Sequence, residues 1–106
     1  MTVSVRFADA VSPAAVIEAI ERFRGRPQEL DLPSAPAAPV RYLGDGFRPQ
    51  PRLDADLGGG MTVTVGRVRP CPVQHVKFVA LGHNTVRGAA GAAILNAELM
   101  EAAWTS

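Results

Sequence analysis

The side chains able to move a proton are few: His83, Asp54, Asp56 and Glu98 are the candidates for general acid–base work. His83 and Asn84 stand where a strand pattern gives way to a helix pattern. A polar pair there either caps the helix or faces a ligand at its N-terminus. Asp54 and Asp56, two residues apart, read as paired carboxylates or as ordinary turn residues. Cys71 lies between Pro70 and Pro72, with no base beside it except His75 four residues on, and reads as an inert thiol. Arg67 shares the parity of Met61, Val63 and Val65. Either a bulge at Gly66 turns it outward or, the favoured reading, its guanidinium reaches a buried acid. The triglycine 58–60 precedes a strand, whereas a phosphate cradle needs a strand before the glycines and a helix after them, so it reads as a flexible turn.

The elements that position these residues follow from periodicity. Thr2 to Phe7 alternates, with Val3, Val5 and Phe7 on one side, as a half-buried strand does. Ser12-Pro13 opens a helix whose buried stripe is Val16, Ile17, Ile20 and Phe23, ended near Arg24 by Gly25 and Pro27. Residues 30–39, with the run DLPSAPAAP, form an irregular proline-rich connector before a short extended piece, Val40 to Leu43. Asp45-Gly46 marks a turn, and the prolines of the 48–52 stretch are expected to hold it extended and unpaired. Met61 to Arg69 and His75 to Gly82 are strands. Thr85 to Trp104 is the longest helix. In that helix Val86, Ala90, Ala93, Ala97, Met100 and Trp104 share one face, and Gly88, Ala92, Leu95 and Leu99 make a second. Arg87, Glu98 and Glu101 form a narrow polar stripe.

In the last strand Val76, Phe78 and Ala80 point one way and Val79 and Leu81 the other, so both faces ask for burial. Two helices cover only one face of a small sheet, and a second copy of the chain is the simplest cover for the other. The expected architecture is α+β, a mixed sheet with helices on one face, forming a homodimer through its sheet or its helix layer.

Composition narrows the function classes. A chain of 106 residues with 47% hydrophobic and 20% charged side chains is one soluble globular domain over 1–106, too small for two. Net charge is +1, which gives nucleic acid or a membrane surface no electrostatic hold; neither is expected as a partner. One cysteine and two histidines leave no metal-ligand cluster, and no metal is expected. Residues 1–7 have no signal-peptide pattern and no apolar run is long enough to span a bilayer, so a cytoplasmic location is expected.

From Arg48 onward the segments RPQPRLDADLGGGMTVTVGRVR and VKFVALGHNTVRGAAGAAILNAEL resemble the C-terminal part of aspartate-semialdehyde dehydrogenases. The similarity is to the archaeal and fungal branch, which includes related acyl-CoA-type reductases. It rests on Val65-Gly66-Arg67 and on the helix start His83 to Gly91. Residues 1–24 also look like the family's VSVRF-(loop)-SP segment.

The resemblance implies a domain like the C-terminal domain of glyceraldehyde-3-phosphate dehydrogenase, with the sheet face away from the helices used for dimerisation. It places Asn84 and Gly88 near the nicotinamide end of NADP, but only where an NADP-binding domain is supplied; alone, no cofactor is expected. It makes Arg67 structural. The family's catalytic cysteine, histidine and substrate-binding arginine have no counterparts here, so no dehydrogenase activity is expected of this chain by itself. The reading is a semialdehyde-dehydrogenase dimerisation domain, stand-alone or excised, whose partner is a second copy or a full-length dehydrogenase. The alternative is a reused scaffold, an acid–base cyclase or an aldehyde- or imine-handling enzyme of a biosynthetic pathway.

Overall fold

The alternation of Thr2–Val5 becomes an edge strand, β1, and the first helix begins where Ser12 and Pro13 place it. The Ser12 hydroxyl accepts the Ala15 N–H at 3.2 Å, and Pro13 occupies a first-turn position whose N–H would have no helical acceptor. This helix, α1, runs Pro13–Arg22. A single-turn helix α2, Arg26–Glu29, follows Gly25. The connector then leads to β2, Val40–Leu43. A second single turn, α3, spans Pro51–Asp54. The strands β3, Val63–Pro70, and β4, Val76–Leu81, precede the terminal helix α4, Gly91–Thr105. This computed structural model describes residues 1–105.

The four strands form one mixed sheet in the order β1-β4-β3-β2. β4 pairs antiparallel with both β1 and β3, and β2 runs parallel to β3. The registers Thr2↔Val79, Val40↔Val63 and Val65↔Ala80 divide the side chains between two faces. Val3, Val5, Val40, Val63, Val65 and Phe78 share the face under α1, which lies over β2 and β3. Thr2, Ser4, Leu43, Gly66, Val79 and Leu81 share the opposite face. Leu43, Met61, Val65, Val76 and Leu95 are the buried apolar core, each contributing roughly 1.5–3 kcal/mol.

The structure corrects four local expectations. Residues 48–52 are not an unpaired extended stretch: the chain turns into α3 at Pro51, and Arg48 is bound to Asp54. The triglycine is a 3-10 turn, Leu57–Gly60, with all three glycines at positive φ and Gly60 buried. A side chain on Gly58 would overlap Thr62, so this turn is packed in place. Arg67 does not reach a buried acid. Arg67 and Val68 together oppose Phe78 in a bulge, and Arg67, exposed at φ 55°, adopts the left-handed conformation such a bulge requires. Finally, Val86–Ala90 is a π-helical turn, with Gly88 N–H bonded to the His83 carbonyl and Ala90 N–H to the Thr85 carbonyl, both at 3.0 Å. The wider turn brings Val86 against Gly60 and Gly91, off the face it would share with Ala93 and Ala97 in a regular helix.

Candidate functional site

Asp54 ends α3 and is fully buried. Its carboxylate binds the Arg48 guanidinium through both oxygens, Nε to Oδ2 at 3.2 Å and Nη2 to Oδ1, and Oδ2 also accepts the Gln50 N–H at 2.7 Å. The Arg48 hydrogen bond is the main reason the acid titrates below its ordinary value. The Gln50 N–H adds to this, and burial opposes it. The same contact raises the Arg48 pKa. Gly66 permits this arrangement, because a Cβ there would overlap the Arg48 carbonyl and Pro49. The close packing of loop on strand therefore depends on the glycine of Val65-Gly66-Arg67.

Asp56 lies only two residues further on, yet its side chain is almost fully exposed. The two carboxylates do not face each other, because one is enclosed with Arg48 and the other points to solvent. Asp56 approaches His83 instead, Oδ1 to Nε2 at 3.9 Å, beyond hydrogen-bond length. His83 Nδ1 accepts the Val86 N–H at 3.1 Å and lies 3.3 Å from the Thr85 hydroxyl. With Nδ1 accepting, the ring proton is assigned to Nε2, on the Asp56 side. His83 thus plays the helix-entry role, and its remaining nitrogen is the only part free to meet anything else.

Asn84 is exposed beside Gly88, whose added Cβ would stand 3.7 Å from Asn84 Oδ1. Together they make one open edge of the turn. Glu98 is elsewhere, on the packed stripe of α4, and ties that helix to the proline-rich connector. It accepts the Ser34 N–H at 2.8 Å and the Ser34 hydroxyl at 2.5 Å. Of the sequence candidates, only His83, Asp56, Asn84 and Gly88 gather at one place.

Sequence reasoning missed Arg48, because a proline-flanked arginine carries no periodicity. The one available signal was its spacing of six residues from Asp54 across a turn. The surroundings of Cys71 were not legible either. Its Sγ accepts the Gln74 N–H at 3.3 Å, and that bond, with help from the Val73 N–H, Ser4 and Lys77, lowers the thiol pKa against the opposing effect of burial. His75 plays no part in this, since its Nδ1 accepts the Phe7 N–H at 3.0 Å and its ring stacks on Phe7.

An NADP molecule would need a phosphate cradle as well as an edge for its ring. Among the described residues the glycine turn is filled by its own neighbours, Thr62 and Val86. That turn therefore offers no room for a phosphate group. Among the described residues there is also no cluster of three metal-ligating side chains and no helix long and apolar enough to cross a membrane.

The fold is an α+β domain: a mixed four-stranded sheet with helices, a glycine-enabled loop packed on β3 and a π turn opening the last helix. The chain belongs to the semialdehyde dehydrogenase dimerisation-domain family, whose model matches residues 1–87. It is 56% identical over 87 residues to an aspartate-semialdehyde dehydrogenase of Methanothermobacter thermautotrophicus, a match covering 80% of this chain and 25% of the relative. It is 46% identical over 102 residues to the Aspergillus fumigatus aspartate-semialdehyde dehydrogenase, covering 92% of this chain and 28% of that one. The crystal structure of aspartate semialdehyde dehydrogenase with NADP from Candida albicans superposes with a TM-score of 0.84 at 40% identity. That match covers 94% of this chain and 28% of the relative. The chain therefore spans about a quarter of the length of these relatives.

Proposed function

We propose that this chain is a self-associating module of semialdehyde-dehydrogenase type that forms a homodimer through the sheet face opposite α1 and performs no dehydrogenase chemistry alone. The observation that carries this reading is the state of β4. On the face away from α1, Val79 and Leu81 are half-buried beside exposed Thr2 and Ser4 of β1, next to the part of that face where the Arg48–Asp54 loop covers Gly66. An apolar strand in the middle of a sheet gains most from a second sheet laid against it. The family assignment to a dimerisation domain over residues 1–87, which contain all four strands, supports self-association.

The structural bonds of Asp54 and Glu98 support the reading that these two acids are scaffold. Only where the rest of a dehydrogenase is supplied do Asn84 and Gly88 become an edge for NADP. Light scattering on the purified chain tests the dimer: a mass near twice 11.2 kDa is expected. Val79→Glu should halve it while circular dichroism stays unchanged, and a wild-type monomer at micromolar concentration overturns the reading. Calorimetric titration with NADP or a short aldehyde should give no heat. Saturable aldehyde binding lost in His83→Ala would instead favour a small aldehyde-handling enzyme built on His83 and Asp56.

A further inference from the structure

We draw no further inference here: the strongest candidate, the apolar groove beside α1 lined by Phe7, Val11, Val16, Ile20, Phe23 and Val40, carries nothing because nothing in the structure shows what covers it in a chain that spans about a quarter of the length of its relatives.

Discussion

The Arg48–Asp54 loop and the His83–Gly88 turn are both polar segments where the chain changes direction, and they use their side chains in opposite ways. In the loop, the guanidinium and the Gln50 N–H both donate to the Asp54 carboxylate, and the loop packs on the sheet at Gly66. In the turn, His83 spends one nitrogen on Val86 and leaves the other facing solvent-exposed Asp56, while the Asn84 side chain makes no hydrogen bond among the described residues and stands in the open. A buried ionic group must find partners within its own chain, because water is not there to replace them. An exposed one can wait for a partner from outside. The loop is scaffold, and the turn is the part of this molecule with polar capacity left over.

The sharpest way to break that contrast is to remove the buried carboxylate. Asp54→Ala leaves the guanidinium and the Gln50 N–H without their acceptor, and is expected to lower Tm by on the order of 10 °C in a calorimetric scan. Gly66→Ala attacks the same loop from the strand side. Its Cβ would overlap the Arg48 carbonyl, and the displacement should cost about 2 kcal/mol in urea unfolding.

Acid tests the pair differently. Asp54 has a folded pKa below its unfolded one, so the stability it contributes is fully present above the unfolded value near pH ~4. It is lost as pH falls through the lower folded value. The midpoint in urea should accordingly be insensitive to this group between pH 5 and 7, as flagged by a flat profile, and drop below about pH 4. Asp54→Asn should flatten that acid limb.

The turn should respond least. His83→Ala removes one helix-entry acceptor and should cost about 0.5–1 kcal/mol. Asn84→Ala, with no hydrogen bond to lose, should change stability by less than about 0.5 kcal/mol. A large effect at Asn84 would place it with the scaffold and end the distinction between the two regions.

Much of this was legible in the residues. Alternation identified β1 and β3, an apolar run identified β4, and Ser12-Pro13 identified the start of α1, because those signals are local: a strand's two faces and a helix's first free N–H groups are properties of adjacent residues. The division of α4 into two apolar stripes was also legible, but not which one would be covered. The choice of partner for Arg67 went the wrong way for the same kind of reason. Whether an arginine in a strand meets an acid or swings out depends on the register with β4, which no window of β3 contains.

What the sequence by itself determined is the four strands, the two longer helices, the α+β class and the family, since periodicity, caps and motif spacing are written along the chain. Tertiary structure alone decided which polar groups are spent. Asp54 and Asp56 are chemically alike and two residues apart, yet only one is brought under the loop to Arg48. Glu98 became a tie to Ser34, sixty-four residues away. The physical reason is that a side chain's chemistry depends on its solvation and its neighbours. Those are fixed by contacts between distant segments, which only the folded chain brings together.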